Sequence, residues 1–311
     1  NFNRIPVLLL ITTELTNDLK IKHENMKKLL LVLLVSFSLF TNAQQWIPLG
    51  NGTGREVTAF TVYNGELVIG GWFQSPGNAI GIWNGSSYGP LGTGMTGFAN
   101  NFLTSVCVFN GELYAAGLFG NANGVATTQC LARWNGLKWS AVGSGITMGA
   151  GIPLINCMKV YNNELYVGGL FDNAGGVAVN NIAKWDGNTW SDVAGGTSIG
   201  GLVTTMTTHG LDLYVAGAFT TMGGTTADRI AKWNGTVWSA LGTGNTFVGG
   251  NPLTIASNDT DIFLGGGFTQ IGSTSLSYIA RWDGTNWNAM GTGADQRVNT
   301  CLLYTSDAAD E

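Results

Sequence analysis

The sequence predicts an all-β chain, a propeller of four-stranded antiparallel blades with five blades complete, and three observations carry that expectation. A Trp-Asn/Asp-Gly element begins at Trp83, Trp134, Trp185, Trp233 and Trp282, spaced 51, 51, 48 and 49 residues apart. An aromatic residue after a small-residue pair keeps step with it, at Phe73, Phe119, Phe171, Phe219 and Phe268. Asn-Gly or Asp-Gly pairs separate the short apolar runs within each period. A period near 50 residues made of short strands marks stacked units, each too small to bury its own apolar faces.

The third repeat shows the elements most fully. Residues 155–161 are expected as strand a, 164–171 as strand b, 181–185 as strand c and 189–193 as strand d. The a–b joints read Asn64-Gly65, Asn110-Gly111 and Asn162-Asn163. The c–d joints read Asn84-Gly85, Asn135-Gly136, Asp186-Gly187, Asn234-Gly235 and Asp283-Gly284. Such pairs adopt the positive φ values of a two-residue type I′ turn, so both joints are expected to be tight hairpins. No long helical period interrupts the repeats, and four antiparallel strands per period is the pattern of a propeller blade.

The ends read differently. Met26-Lys27-Lys28, the apolar stretch 29–40 and Thr41-Asn42-Ala43 form a secretory signal, with cleavage expected after Ala43. Twelve residues are too few to span a bilayer, so no membrane span is expected. Residues 1–25 lack a start methionine and read as translated sequence upstream of the true start. Residues 301–311 look like one reading frame of a transposase-type sequencing adapter, which makes 44–300 a truncated propeller. Within it, residues 46–50 read as a strand d without its blade. Arg297-Val298-Asn299-Thr300 aligns with Arg55-Glu56-Val57-Thr58 as the start of another strand a.

Between Gln44 and Thr300 there are nine Lys/Arg and thirteen Asp/Glu. Charge this sparse and slightly acidic offers no basic stripe, so nucleic acid is not an expected partner. Cys107, Cys130 and Cys157 are odd in number and unpatterned, which argues for small buried apolar residues rather than a disulfide framework.

The double glycine closing strand b (Gly70-Gly71, Gly168-Gly169, Gly265-Gly266), followed by two spaced aromatics, resembles the kelch family of propellers. It is similar above all to the kelch-like repeats of fungal cortical polarity markers and of large exported bacterial surface proteins. The resemblance runs from Trp46 to Thr300. It departs in using Trp where kelch blades carry Tyr, and in relaxing the double glycine to Ala116-Gly117 and Ala216-Gly217. It implies a fold and leaves activity open, because propellers host unrelated functions.

Chemistry-bearing motifs are few. Gly92-Thr93-Gly94-Met95-Thr96-Gly97 has dinucleotide-fingerprint spacing, but the same slot in other repeats leads into strands, where a pyrophosphate site needs a helix. Asp186-Gly187-Asn188-Thr189-Trp190 approaches a sialidase-type Asp-box yet lacks the residue between Asp and Gly. Glu66, Glu112, Glu164, Asp212 and Asp261 share one repeat position, and Arg133, Lys184, Lys232 and Arg281 another. Cross-strand charge pairs explain both rows, while a ring of acids lining a channel is the functional alternative. His209 is the only histidine after the signal, so copper chemistry needing two histidines is not expected. No calcium or zinc ligand spacing occurs, and neither metal nor cofactor is expected.

The paired Trp residues recur at strict repeat positions and are expected to pack between repeats. Trp72 is different, because its equivalents are Leu118, Leu170, Ala218 and Gly267. With a–b and c–d joints tight, the d–a and b–c connections emerge on one face, where binding on rigid scaffolds resides. The candidate binding residues are Trp72, Phe98, Asn101, Asp172, Asp228 and Phe247. The expectation is an exported, non-catalytic recognition or adhesion propeller that binds protein or carbohydrate at the cell surface. A sorting or anchoring domain further downstream would accord with it. The alternative is a secreted hydrolase, lyase or oxidase with its catalytic groups in missing blades.

Overall fold

A computed structural model describes residues 52–149, 151–198, 200–242 and 246–301. The expected signal peptide, the upstream residues, the strand at 46–50 and residues 302–311 lie outside the described residues. The described chain is all-β with antiparallel pairing throughout, apart from one 3-10 turn at Ala126–Thr128.

Five sheets follow one another along the sequence, each with strands in the order a-b-c-d. The third, for example, runs Leu154–Tyr161, Glu164–Leu170, Ile182–Trp185 and Trp190–Asp192. In the fifth, strands a and b lengthen to Phe247–Ser257 and Ile262–Ile271, and Thr274–Ser275 pairs with b. The core lies between neighbouring sheets, in four successive apolar clusters. Phe73, Phe119, Phe171, Phe219 and Phe268 are all buried within or beside them.

The a–b joints have the expected backbone, with positive φ at Asn64 and Gly65, Asn110 and Gly111, and Asn162 and Asn163. The c–d joints correct the expectation. Trp83 pairs with Tyr88, and Trp185 with Trp190, so four residues turn the chain rather than two. Only the glycine has positive φ. The leading Asn or Asp side chain braces the loop by accepting two backbone N–H groups. Asn84 Oδ1 takes those of Ser86 and Ser87 at 3.0 and 2.9 Å, and Asp186 Oδ1 those of Asn188 and Thr189 at 2.7 and 2.6 Å. The wider loop lets the two aromatics face each other across the strands, with ring centroids 5.2 Å apart for Trp185 and Trp190. The backbone N–H of Thr189, then that of Asn188, holds the Asp186 carboxyl below the ordinary carboxylate range. A depressed pKa stabilises fully above the unfolded value and is lost as pH falls through the folded one.

Two recurring contacts bind sheet to sheet. Trp139 Nε1 donates to the Leu91 carbonyl at 3.0 Å, Trp190 Nε1 to Val142 at 3.0 Å and Trp238 Nε1 to Val193 at 2.9 Å, each reaching the preceding sheet. Strand a carries a bulge in every sheet, after Val57, Leu103, Ile155, Val203 and Pro252. The bulged Thr58 and Thr104 donate their hydroxyls to Leu103 O and Ile155 O of the next strand a, and Asn156 Nδ2 donates to Val203 O at 2.8 Å.

The segment after the fifth sheet continues the pattern. Val298 lies on Gly265 as Leu103 lies on Gly70, and the Cys301 N–H donates to Thr254 Oγ1 at 3.0 Å as Met158 N–H does to Ser105 Oγ at 3.1 Å. Val298 is therefore the equivalent of Val57, one place from the alignment that matched Arg297 to Arg55. The apolar contact on the glycine, not the repeated arginine, sets the register.

The bulge explains the double glycine. A Cβ on the second glycine would meet the carbonyl of strand a at 2.0 Å at Gly169 and 2.2 Å at Gly71, so no side chain fits. The first glycine faces the neighbouring sheet's side chains, 3.1 and 3.2 Å away at Gly70, where alanine serves in other repeats. Gly169→Ala is expected to cost about 1–3 kcal/mol or more through overpacking. Gly70→Ala should stay within about 1 kcal/mol of the parent. Urea denaturation of both variants checks the contrast.

Candidate functional site

The d–a and b–c connections come together as expected. Met95–Thr96 pairs with Asn121–Ala122, Ile146–Thr147 with Asn173–Ala174, and Thr197 bridges Met222. The b–c connection is cinched by one recurrent device that the sequence hid. The residue before strand c has positive φ in every sheet: 70° at Ala79, 60° at Cys130, 66° at Asn181, 62° at Arg229 and 66° at Tyr278. Its N–H donates to the carbonyl of the buried Phe, as Ala79 to Phe73 O at 2.7 Å and Arg229 to Phe219 O at 2.8 Å. Its carbonyl accepts the N–H of the second glycine, as at Gly71 and Gly217.

Two crevices open at equivalent places on this loop-bearing end. The first, about 180 Å³, lies between the first and second sheets and is lined by Arg55, Trp72, Gln74, Asn78, Phe98, Asn100 and Asn101. Trp72 follows the obligatory Gly71, and its N–H is fixed to Glu56 O at 2.9 Å, so the indole is carried outward and remains 41% exposed. The Arg55 guanidinium carbon lies 4.9 Å from the Trp72 ring centroid, within cation–π range. Asn101 shapes the facing wall by holding Phe98 at both backbone atoms, accepting its N–H at 3.2 Å and donating to its carbonyl at 2.9 Å.

The second crevice, about 330 Å³, lies between the fourth and fifth sheets, with Ser198, Gly201, Thr220, Asp228, Arg229 and Asn251 on its walls. Asp228 Oδ2 accepts the Phe247 N–H at 2.8 Å. Arg229 Nε stands 3.8 Å from Asp228 Oδ1, and its Nη1 donates to the Gly249 and Gly250 carbonyls at 3.2 and 3.0 Å.

The candidate residues thus fall in four places. Trp72, Phe98 and Asn101 meet in the first crevice, and Asp228 lines the second. Asp172 is exposed but lines neither, its Oδ1 accepting the Gly149 N–H at 3.2 Å as a brace between two loops. Phe247 corrects the expectation. Its ring is 4% exposed, set edge-on to Phe268 at 5.6 Å and capped by Arg229 at 5.7 Å, so it serves the core and offers no face to a ligand. Arg55 and Gln74 were missed. Arg55 could have been found by the test that singled out Trp72, because its equivalents, counted from the strand a bulge, are Asn101, Pro153, Gly201 and Gly250.

Other chemistry-bearing groups have structural employment. Glu112 pairs with Arg133 at 3.1 Å, Glu164 with Lys184 at 2.9 Å, Asp212 with Lys232 at 3.2 Å and Asp261 with Arg281 at 3.8 Å, all across strands b and c. Glu66 has no ion-pair partner among the described residues, Ile82 occupying the basic slot. His209 lies at the a–b end, away from both crevices, with Nδ1 2.9 Å from Asn258 O. Burial pushes the Cys130 thiol up to about 11 and raises that of Cys157 as well, so both remain protonated. Among the described residues no group of three His, Cys, Asp or Glu is placed to hold a metal ion, and no helix is long and apolar enough to cross a membrane.

No protein-family model matches this chain, and no curated protein is similar to it in sequence. Solved structures are similar in fold. The extracellular domain of a hybrid two component system from B. thetaiotaomicron superposes with a TM-score of 0.50 at 9% identity, over 83% of this chain and 31% of its own. YjhT gives 0.48 at 15% identity, over 81% and 88%. A GH74 xyloglucanase from Xanthomonas campestris gives 0.44 at 14% identity, over 79% and 39%. The chain therefore spans less than half the length of two of these three proteins. The neighbours are β-propeller-like, and at these identities the likeness speaks for the fold alone.

Two tryptophans separate fold from site. Trp185, 3% exposed in the core between the second and third sheets, is expected to cost about 3–5 kcal/mol when replaced by Ala. Trp72→Ala should cost less than a third of that, because the ring covers little of the core. Denaturant melts of the two variants check the difference, and equal losses would make Trp72 a packing residue.

Proposed function

We propose that this chain is an exported, non-catalytic recognition propeller that binds carbohydrate through the end bearing the d–a and b–c connections. The single observation that carries this reading is Trp72. A large aromatic stands 41% exposed in a crevice, at a repeat position that the fold fills with Leu, Ala or Gly. An exposed indole beside side-chain amides suits a sugar ring, which offers an apolar C–H face to the aromatic and hydroxyls to the amides. Glycoside hydrolysis uses two carboxyl groups flanking the bond, about 5–9.5 Å apart. The first crevice has no carboxylate on its walls, and the second has one, already bonded to a backbone N–H. The domain of like fold from B. thetaiotaomicron is an extracellular one, which accords with export. A screen of the purified chain against immobilised glycans tests the reading. Binding abolished by Trp72→Ala is expected; binding indifferent to that change, or release of sugars from a bound glycan, would overturn it.

In this reading the five sheets are blades and a further sheet covers the outer flank of the first. Val57, Phe60 and Val62 are 44, 64 and 63% exposed there. The positions equivalent to Phe60 in the other sheets, Val106, Met158, Met206 and Ile255, are buried under the preceding sheet. The strand begun at Val298 supplies the start of that cover. The chain from 44 to 300 is therefore expected to self-associate through this flank. Replacing Phe60 and Val62 together by Lys should return it to a monomer. Light scattering on both proteins decides it: a parent chain already monomeric would show that the flank needs no cover.

A further inference from the structure

Two departures from the repeat meet at the first crevice, and only one of them is aromatic. Arg55 stands where the other sheets have Asn101, Pro153, Gly201 and Gly250, as Trp72 stands where they have Leu, Ala or Gly. A residue that four sister repeats do without is not there for the fold. The Arg55 guanidinium has no carboxylate or carbonyl partner among the described residues, and it lies over the Trp72 ring. Its lot differs from that of Arg133, Lys184, Lys232 and Arg281, each paired with its repeat acid, and of Arg229, held by Asp228 and two carbonyls. The chain as a whole carries a formal charge of −5, so a cation without an acid in a crevice is a local feature against the general balance. Gln74 and Asn100 line the same crevice with side-chain amides that no other described residue engages, and Asn78 spends only its Nδ2, on Thr93 O at 3.0 Å.

We infer that the ligand of the first crevice is an acidic saccharide, a sugar whose carboxylate pairs with Arg55 while its ring lies on Trp72. This deepens the carbohydrate reading of that site and rests on it. The contact with the indole places the guanidinium at the crevice, 4.9 Å from the ring centroid, and its unspent N–H groups can take a carboxylate through two parallel hydrogen bonds. The amides of Gln74, Asn78 and Asn100 then serve hydroxyls, as both donors and acceptors. The second crevice, with its arginine already neutralised by Asp228, has no such preference.

The test is an array of acidic glycans (uronate- and sialate-bearing) and neutral ones, followed by titration calorimetry with an oligogalacturonide and its methyl ester, which removes the charge and keeps the sugar. The free acid is expected to bind at least about tenfold more tightly than the ester, as one charge-assisted hydrogen-bonded pair allows. Arg55→Gln should bring the acid down to the ester's affinity and leave the ester unchanged. Trp72→Ala should abolish both. Melting curves of Arg55→Gln, an exposed position, verify that the variant is folded. Equal affinity for acid and ester, or an array positive only for neutral glycans, overturns the acidic ligand and leaves carbohydrate recognition standing. An array with no binding at all overturns both.

Discussion

The bulge in strand a is the constraint on which the rest of this structure depends. At that point the strand pushes a backbone carbonyl onto strand b, into the space a Cβ would need, and this makes the second glycine obligatory at Gly71, Gly117, Gly169, Gly217 and Gly266. The bulged residue itself turns its side chain sideways. In the first three sheets, Thr58, Thr104 and Asn156 use it to bond the backbone of the next strand a. One local irregularity thus sets the register within a sheet and ties that sheet to its neighbour. It also aims the residue after the glycine. With Gly71 clamped and the Trp72 N–H held by Glu56, the indole is carried away from the core and toward the crevice.

In the second, third and fourth sheets the outer half is fixed by a different bond. The strand d indole crosses to a carbonyl of the preceding sheet at Trp139, Trp190 and Trp238, which satisfies a buried donor that would otherwise cost about 1–3 kcal/mol. Phenylalanine at the same position would leave that carbonyl without the indole N–H. In the fourth sheet the strand c partner lies tilted against the strand d indole at 4.9 Å and reaches the preceding sheet too, Trp233 Nε1 meeting Tyr166 Oη at 3.2 Å.

Much of this was legible because the repeat is its own control. Five copies of the Trp-Asn/Asp-Gly element located strands c and d, and Asn64-Gly65 and Asn110-Gly111 announced their turns correctly. The same dipeptide misled at the c–d joints. Trp83-Asn84-Gly85 has the residue types of a type I′ turn, yet the Asn spends its side chain on the loop's own N–H groups and a four-residue turn results. The positive φ before strand c was not legible, since Ala79, Cys130, Arg229 and Tyr278 are not residue types that signal it. Each holds a conformation that costs about 1–2 kcal/mol because its N–H and C=O are both committed, one to the buried Phe and one to the glycine. Phe247 was misplaced for a related reason. Its loop position suggested exposure, but strand a of the fifth sheet runs longer than its sisters and draws the ring against Phe268.

Repetition also sharpens what counts as a functional signal. In a chain without repeats, an exposed Trp beside an Arg has many explanations, and surface cation–π pairs are common. Here the backbone slot of each residue occurs four more times with different side chains, in sheets of the same strand order. Folding requirements are met in those four without Trp72 or Arg55, so neither residue is needed to form its sheet. That both departures fall in the first sheet, and that strand lead-in and strand end bring them within 4.9 Å, makes a common cause more economical than two separate accidents. The second crevice supports the distinction. It has the same place in the fold and an arginine of its own, yet Arg229 is tied to Asp228, Gly249 and Gly250 and braces the loops. What differs between the two is the bonding state of the guanidinium, and a cation left unspent beside an aromatic face remains available to a ligand.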